Sequence, residues 1–351
     1  MGCRGLRLGD ALSGGEGRPC PSGRDPSCGK SMTREEILSC LAGSDDSHLF
    51  AQASALAGKE VFLRGLVEFS NVCARNCLYC GLRRDNRTLR RYRMSAEEIL
   101  SCAAQIHAHG IRTIVLQSGD DPGCSTRFLC DLVRTIKERY PEMAVTLSVG
   151  ERPLSDYERF RKAGVDRYLL KHETVSQSLY RRLHPGQSLS RRLAILRHLK
   201  TLGFQTGTGC IVGLPGQTLE DLAEDVLFVQ NFQPEMAAAG PFVPHHATPL
   251  ASYPAGSVCL TLRMVALYRL VVPFCLIPAT TATETIEPSC GYAAALQAGA
   301  NVVMVNFTPV KYRSSYSIYD GKATASFSRV LSAISRAGRS VSFSRGDARI
   351  R

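Results

Sequence analysis

The sequence lacks an apolar run long enough to cross a membrane. The longest candidates, such as residues 266–277, are interrupted by Arg269 and Pro273, whereas a bilayer span takes about 18 or more consecutive apolar residues. A secretory signal is also missing, and most of the 14 cysteines of this 351-residue chain lie singly in apolar segments. These absences exclude a disulfide-rich secreted module and predict a soluble protein without membrane contact, in a reducing, low-oxygen compartment.

Motifs for nucleic-acid binding are absent as well, despite a formal net charge of +12. The basic residues concentrate in an arginine-rich run at 83–93 and in the pairs 181–182 and 191–192. No zinc finger, RNP-like strand or lysine-rich tail accompanies them. A cationic rim that attracts an anionic small molecule or an acidic partner protein explains the charge equally well, so we favour the rim over a nucleic-acid partner.

Strand and helix patterns alternate from residue 59 onwards. Eight mostly apolar runs predict parallel strands covered on both faces, at residues 61–69, 112–118, 144–149, 166–172, 205–212, 236–242, 273–280 and 301–307. Helical patterns lie at 96–109, 124–139, 155–163, 174–182, 188–202, 217–230, 259–270, 288–298 and 323–337. This alternation predicts an α/β fold of the (β/α)8 TIM-barrel type. An open doubly wound sheet is the alternative, but no G-x-G-x-x-G follows the first strand.

The other segments flank a single barrel domain, predicted at residues 59–338. Residues 1–30 show no hydrophobic period and are expected to be disordered. Residues 31–58 predict short helices packed on the barrel, the first opened by a capping box of Thr33 and Glu36. Residues 339–351 form a basic, serine-rich tail that we expect to be loosely ordered.

Three cysteines, Cys73, Cys77 and Cys80, form a C-x3-C-x2-C motif directly after the first predicted strand. Thiolates this close in sequence can converge on one metal centre, and soft thiolates suit an iron–sulfur cluster or zinc. A four-iron cluster held by three cysteines keeps one iron free for a substrate or cofactor. A zinc knuckle is the alternative, but no cysteine or histidine pair lies nearby at zinc-ribbon spacing. The aromatic Tyr79 before the third cysteine completes the pattern of the radical S-adenosylmethionine (SAM) enzymes.

Polar and small residues stand at the carboxyl ends of seven predicted strands, where barrels of this type carry their catalytic groups. They occupy residues 70–71, 117–122, 148–151, 171–174, 206–209, 278–281 and 306–308. The strand bodies themselves stay apolar. This edge of the barrel is therefore the predicted active site, and it includes the cysteine loop.

The cysteine motif and these strand ends together resemble the HydE family of radical SAM maturases, which act in FeFe-hydrogenase assembly. The resemblance runs over roughly residues 32–322 and is carried by the stretches 73–94, 113–119, 167–174, 212–218, 240–245, 277–281 and 299–302. It implies one [4Fe–4S] cluster on the three cysteines, and cleavage of SAM to methionine and a 5′-deoxyadenosyl radical. It further implies an anionic, organometallic substrate: an iron-bound, cysteine-derived precursor of the dithiolate bridge of the H-cluster. The implied partners are companion hydrogenase maturases.

The resemblance also assigns SAM contacts. Gln117, Ser118 and Gly119 match the stretch that receives the methionine end of SAM, next to Tyr79. Glu173 matches an acceptor for the ribose hydroxyls, and Arg192 matches an arginine that faces the SAM carboxylate. A salt bridge at the barrel mouth is the alternative for Glu173, and a solvated helix position is the alternative for Arg192.

Further residues are implied for the interior of the barrel. Arg64 corresponds to an arginine at an internal anion site, and a charge in an apolar strand is costly unless it is paired. Thr280 and Thr281 match hydroxyls that line the cavity, and Tyr312, Tyr316 and Tyr319 fall near the cavity tyrosines of the family. Lys171 stands where the family usually has arginine, which replaces a bidentate contact by a point charge. His172, His245 and His246 are either polar-site residues or satisfied loop histidines.

Four alternative functions remain open: two use the same radical SAM chemistry on another substrate, and two involve no radical SAM catalysis. A methylornithine-synthase-like mutase is one alternative, and a biotin-synthase-like enzyme is another. Sulfur insertion of the latter kind needs a second cluster, and no cysteine follows Cys290. A nucleic-acid-binding iron–sulfur protein and a non-catalytic cluster scaffold belong to other classes. The expected location is the cytoplasm or, in a eukaryote, the matrix of an anaerobic hydrogenosome, mitochondrion or plastid.

Overall fold

The computed structural model describes residues 29–348, so nearly all of the expected disordered segment 1–30 lies outside the described residues. The strands are β1 (Glu60–Ser70), β2 (Thr113–Ser118), β3 (Ala144–Ser148), β4 (Arg167–Leu169), β5 (Gln205–Val212), β6 (Met236–Pro241), β7 (Val302–Asn306) and β8 (Ser340–Ser342). The helices are α1 (Arg34–Ala42), α2 (Ser47–Ala57), α3 (Ala96–Ala108), α4 (Thr126–Arg139), α5 (Leu154–Lys162), α6 (Gln177–Leu183), α7 (Leu189–Thr201), α8 (Leu219–Phe232), α9 (Val258–Val271), α10 (Thr281–Ile286), α11 (Gly291–Gln297), α12 (Val310–Arg313) and α13 (Phe327–Arg336).

The strands form one parallel sheet that curls into a barrel, which confirms the predicted fold class. Seven strands follow the order β6-β5-β4-β3-β2-β1-β7. The gap between β6 and β7 is spanned by isolated parallel bridges from Met236 to Leu276 and from Pro278 to Val302. The barrel is therefore continuous, but an irregular segment takes the place of a regular strand between β6 and β7.

No regular strand forms at 273–280, where the sequence pattern predicts one. Pro273 and Pro278 have no N–H to donate, and proline disrupts the hydrogen-bond ladder of a central strand. Only single bonds remain, such as Leu276 N to Glu235 O at 3.0 Å and Ala279 N to Val302 O at 2.9 Å. The chain then turns at once into α10, whose N-cap is Thr280. The predicted helix at 288–298 begins later than expected, at Gly291.

The helices surround the barrel as the sequence pattern predicts. The capping box of Thr33 and Glu36 opens α1, and an equivalent box of Ser95 and Glu98 opens α3. Helix α1 packs against α8 and α9, and α2 packs against α9 and α11. Both helices therefore cover the side of the barrel that carries the irregular segment between β6 and β7. None of the helices between residues 29 and 348 combines the length and apolar character of a membrane crossing.

The C-terminal segment differs from the loose tail expected from the sequence. Strand β8 pairs in parallel with the first residues of β1, and the chain then crosses the amino-terminal end of the barrel. There Arg167, fully buried on β4, donates to the carbonyl oxygens of Arg345 and Gly346 and to the carboxylate of Asp347 at 2.7 Å. A buried guanidinium needs such partners, so residues 340–348 form a fixed floor under the barrel.

Deletion of residues 344–351 is expected to destabilise the protein, because Arg167 would keep its charge without these acceptors. Stranding a buried charge typically costs about 3–5 kcal/mol. The free energy of unfolding, measured by urea denaturation, should fall by that order. Adding Arg167→Met to the shortened chain should recover part of the loss. A shortened chain as stable as the full chain would contradict the assignment of the tail as a floor.

Candidate active site

The cysteine loop lies between β1 and residue 81 at the carboxyl end of the barrel. Cys73, Cys77 and Cys80 are partly exposed, and all eleven cysteines in residues 29–348 are free thiols. Burial raises the pKa of all three thiols in the loop, that of Cys77 to about 11. These groups are therefore neutral at pH 7, and a bound metal would have to displace their protons.

The spacing of the three sulfur atoms fits a cluster better than a single zinc ion. In the part of the chain that the structure describes, they do not all lie within 4.8 Å of one another. Zinc–sulfur bonds of about 2.3 Å in a tetrahedron require sulfur atoms about 3.8 Å apart. A four-iron cluster is larger than one ion and takes more widely spaced thiolates. The donor set, three soft thiols and no fourth protein sulfur in the loop, matches a cluster with one open iron.

The arginine-rich run holds the cysteine loop in shape. Arg91 donates four hydrogen bonds, to the carbonyl oxygens of Asn71, Leu82, Arg83 and Asn86, at 2.6–3.1 Å. Arg93 forms a bidentate pair with Asp121, which is buried. Arg91 and Arg93 thus make structural contacts, whereas Arg84, Arg87, Arg90 and Arg93 are exposed and leave the run cationic at the surface.

A buried carboxylate joins the loop to the neighbouring strand ends. Glu151, only 8% exposed at the end of β3, accepts from Arg192 Nε at 2.8 Å and lies 3.5 Å from Arg75 Nη2 of the loop. Arg192 also donates to the carbonyl oxygen of Lys171 and to Gln187. Arg192 is thus buried and ion-paired, and the alternative of a solvated helix position is wrong.

A cavity of about 340 Å³ opens below the cysteine loop inside the barrel. Its lining is mostly apolar, and it brings together many of the predicted site residues: Arg64, Tyr79, Cys80, Gln117, Lys171, Glu173, Thr280 and Thr281. Ser118, Gly119, Arg192 and Tyr316 do not line it and lie around its mouth or behind its wall. Tyr319 does line it.

Arg64 is a buried cation with unused donors. It is 4% exposed, and its Nη1 contacts Met236 Sδ at 3.1 Å. Its Nε and Nη2 find no hydrogen-bond partner among residues 29–348. Burial, together with the charge of Arg167, lowers the pKa of Arg64 well below its ordinary value, which reflects the cost of a guanidinium without a counterion. An anion in the cavity would relieve that cost.

Lys171 and Glu173 form an ion pair at the cavity mouth, with Lys171 Nζ 2.9 Å from Glu173 Oε2. Burial raises the pKa of Glu173, but Lys171 and Arg192 outweigh it and keep the carboxyl below its ordinary value. Glu173 is thus ionised and able to accept hydrogen bonds. Its backbone has φ of 67°, an unfavourable conformation for glutamate of the kind that concentrates at functional sites.

The sequence reasoning missed a second ion pair in the cavity wall. Glu68 on β1 pairs with Lys322, and both line the cavity. Glu68 also accepts from Asn306 Nδ2 at 3.1 Å. Lys322 lies 4.7 Å from the ring centre of Tyr316, which places Tyr316 behind the lysine. The sequence did contain an indication, because a glutamate four residues after Arg64 shares its inward face on an alternating strand.

The tyrosine before the third cysteine is held by a residue that the sequence did not single out. His184 Nδ1 donates to the carbonyl oxygen of Tyr180, which leaves Nε2 to accept from the Tyr79 hydroxyl at 2.8 Å. Burial lowers the pKa of His184 to about 4, so the ring is neutral at pH 7 and the acceptor persists. Tyr79 therefore faces the cavity in a fixed orientation.

The three histidines considered from the sequence lie outside the cavity lining. His172 is fully buried between Thr208 and Asp225. His245 accepts from the backbone N–H of Ala247 through Nδ1, and His246 contacts Asp320. The rings of His245 and His246 are thus engaged in loop contacts, whereas Nε2 of the buried His172 makes no hydrogen bond within residues 29–348. Tyr312 likewise lies away from the cavity, hydrogen-bonded to Glu98.

Comparison with known proteins places these features in a family. The profile of the Radical SAM superfamily matches residues 67–229. The chain is 48% identical over 300 residues to the "[FeFe] hydrogenase maturase subunit HydE" of Thermotoga maritima, covering 84% of this chain and 85% of that protein. It is 31% identical over 249 residues to 3-methylornithine synthase of Methanosarcina acetivorans, covering 70% of this chain and 69% of that protein.

Solved structures share the fold. Methylornithine synthase (PylB) superposes with a TM-score of 0.80 at 24% identity, over 90% of this chain and 95% of that chain. The FeFe-hydrogenase maturase HydG from Carboxydothermus hydrogenoformans superposes with a TM-score of 0.75 at 24% identity, over 89% of this chain and 76% of that chain. At this level of identity the likeness concerns the fold alone.

Gly119→Ala is expected to displace the cysteine loop without unfolding the barrel. A Cβ at this position would lie 2.4 Å from Val72 O and 2.6 Å from Cys73 Cβ, and neither atom can move without shifting the loop. Iron bound per chain after anaerobic reconstitution should fall strongly, while the circular dichroism spectrum stays unchanged. Gly43→Ala, where the nearest atom is 3.3 Å away, is the control. Full iron uptake by Gly119→Ala would contradict the close approach.

Proposed function

The chain belongs to the HydE family of radical SAM enzymes, and we propose that it acts in building the organometallic active site of an FeFe-hydrogenase. Enzymes of this family use a [4Fe–4S] cluster and SAM. When bound, these two groups supply reductive cleavage of SAM to methionine and a 5′-deoxyadenosyl radical. One observation carries the proposal: the cysteine loop, through Cys80, borders a barrel cavity whose buried guanidinium has unused donors.

At the mouth, Cys73, Cys77 and Cys80 would hold the cluster through their thiolates, and a set of three protein ligands would leave it able to bind SAM. Gln117 lines the cavity next to the loop, and Ser118 and Gly119 continue the same strand end toward Cys73. These three residues receive the methionine end of SAM. Glu173 accepts from the ribose hydroxyls, which is supported by its ionised state and its place on the cavity wall.

Arg192 contributes to SAM binding through a pre-built network. Three of its donors serve Glu151, Lys171 O and Gln187, and a guanidinium has five N–H groups. The remaining donors are available to the SAM carboxylate. Its charge is fixed, because Tyr180, Glu151 and Glu173 outweigh the effect of burial and raise its pKa.

Inside the barrel, the substrate is an anionic, iron-bound precursor derived from cysteine. The unused donors of Arg64 support an anionic group at depth, and the hydroxyl groups of Thr280 and Thr281 lie on the cavity wall. The ion pair of Glu68 and Lys322 offers complementary groups to an amino-acid moiety. An iron complex with carbonyl and cyanide ligands carries the negative charge that the guanidinium of Arg64 favours.

Companion maturases are the proposed partners, which rests on the HydE relationship. The proposed compartment is one of low oxygen, because a cluster with an open iron at a barrel mouth is exposed to oxidants. This is the cytoplasm or, in a eukaryote, the matrix of an anaerobic organelle.

Cys77→Ala tests the cluster assignment. Removing one of three thiolate ligands should abolish cluster binding, so that anaerobic reconstitution yields far less than one four-iron cluster per chain. Production of methionine and 5′-deoxyadenosine from SAM with dithionite should be lost. Cys290→Ala, at an exposed cysteine, is the control and should behave as the wild type. SAM cleavage that survives in Cys77→Ala would refute the proposal.

Arg64→Met tests the substrate assignment separately from SAM cleavage. The residues that would hold the cluster and SAM lie at the mouth and do not include Arg64, so cleavage should persist. Hydrogenase activation in a reaction with the companion maturases should fall about 10- to 100-fold, because hydrogen bonds to a charged group contribute about 1.5–3 kcal/mol. Arg64→Lys should be intermediate, since it keeps the charge but loses the planar fork.

If the Arg64→Met variant activates the hydrogenase as well as the wild type does, the assignment of Arg64 to the substrate site is wrong. Wild-type protein that cleaves SAM but does not support hydrogenase maturation, and that instead forms 3-methylornithine, would favour the methylornithine-synthase-like alternative.

A further inference from the structure

The turn between α6 and α7 contacts the cysteine loop at three consecutive residues. Leu78 N donates to Leu183 O at 3.0 Å, and Tyr79 donates to His184. The third contact is made by Gln187, whose Nε2 lies 3.2 Å from Cys77 Sγ. This is within the range of an N–H···S hydrogen bond.

The orientation of the Gln187 amide follows from its other partner. Gln187 Oε1 lies 3.1 Å from Arg192 Nη2, and a guanidinium has donors but no acceptor. The oxygen of the amide must therefore face Arg192. Its NH2 group is left pointing at the sulfur of Cys77, so the direction of the hydrogen bond is set by chemistry.

The network behind the amide is rigid and positively charged. Arg192 is 7% exposed and is held by Glu151 at 2.8 Å and by Lys171 O at 2.8 Å. A cation that donates to the amide oxygen polarises the amide and strengthens its N–H as a donor, because hydrogen bonds in a chain reinforce one another. A second bond, from Gln187 N to His184 O at 3.1 Å, fixes the backbone of the turn.

We propose that Gln187 is a positioning residue that donates a hydrogen bond to the cluster-ligating sulfur of Cys77 and raises the reduction potential of the cluster. This rests on the proposed role of Cys77 as a ligand. Reduction takes one electron from a low-potential one-electron donor and converts the 2+ cluster to the 1+ cluster, with no bond made or broken. The added negative charge spreads onto the sulfurs, so a donor to sulfur stabilises the reduced state more than the oxidised one.

The test compares two substitutions in the full, anaerobically reconstituted protein. Gln187→Leu removes the donor, and Gln187→Glu keeps the shape but presents an oxygen to the sulfur. Gln52→Leu on the exposed face of α2 is the matched control. The readouts are iron per chain and the midpoint potential, obtained by following the electron paramagnetic resonance of the reduced cluster during a mediated dithionite titration.

The expected result is a full cluster with a more negative midpoint in both variants. The equilibrium constant for reduction should fall about tenfold in Gln187→Leu, which is about 59 mV for a one-electron couple. The fall should be larger in Gln187→Glu, and Gln52→Leu should not differ from the wild type. An unchanged midpoint at full iron content would overturn the inference while leaving the proposed function intact.

If both variants lose their iron, they have no cluster whose midpoint potential can be measured. The test then uses the wild-type protein. Protein labelled with side-chain 15N-glutamine should show coupling of a nitrogen to the reduced cluster in pulsed paramagnetic resonance. Absence of that coupling would overturn the inference. Failure of the proposed function itself would look different, because Cys77→Ala would then retain the cluster and SAM cleavage.

Discussion

One buried carboxylate, that of Glu151, connects the parts of the barrel mouth. It collects Arg75 from the cysteine loop and Arg192 from α7, with Arg191 also 3.4 Å away. A carboxylate so deeply buried is costly unless it is strongly paired, and the buried Arg192 needs a counterion in the same way. Loop, strand end and helix are therefore held in one arrangement. Cys73, Cys77 and Cys80 lie in that loop, and the turn that carries Gln187 leads into that helix, so their positions depend on this arrangement.

The charges inside the cavity are distributed unevenly. Two pairs in its lining, Lys171 with Glu173 and Lys322 with Glu68, balance their own charges. Among the cationic side chains that line the cavity, Arg64 is the one with nitrogen donors that find no partner within residues 29–348. In an apolar wall, two opposite charges that pair compensate much of each other's desolvation free energy. A buried cation without a counterion instead favours the binding of a negatively charged ligand. A negatively charged group in the cavity would therefore lower the cost of burying Arg64.

Much of this could be predicted from the sequence, because local patterns determine it. Apolar runs, capping boxes and the spacing of Cys73, Cys77 and Cys80 depend on neighbours along the chain, and an arginine within a strand is conspicuous. Glu151, Gln187 and the contacts of the C-terminal tail depend on partners that lie tens or hundreds of residues away. The absence of a regular strand at 273–280 is also a local effect, because Pro273 and Pro278 lack the N–H groups that a regular ladder needs. The structural contacts of Arg91 and Arg93 could not be predicted in the same way, because they too depend on tertiary partners.

The two ends of the cavity are built by different parts of the chain. The α6–α7 turn and Glu151 fix the mouth, whereas the floor is fixed by Arg167 and residues 340–348. Arg64 belongs to the floor side, since its charge interacts with Arg167 and Asp347. Residues at the floor can therefore change without disturbing the cluster loop. Such a division lets one radical-generating mouth serve different substrates, which is consistent with relatives as different in name as a hydrogenase maturase and 3-methylornithine synthase.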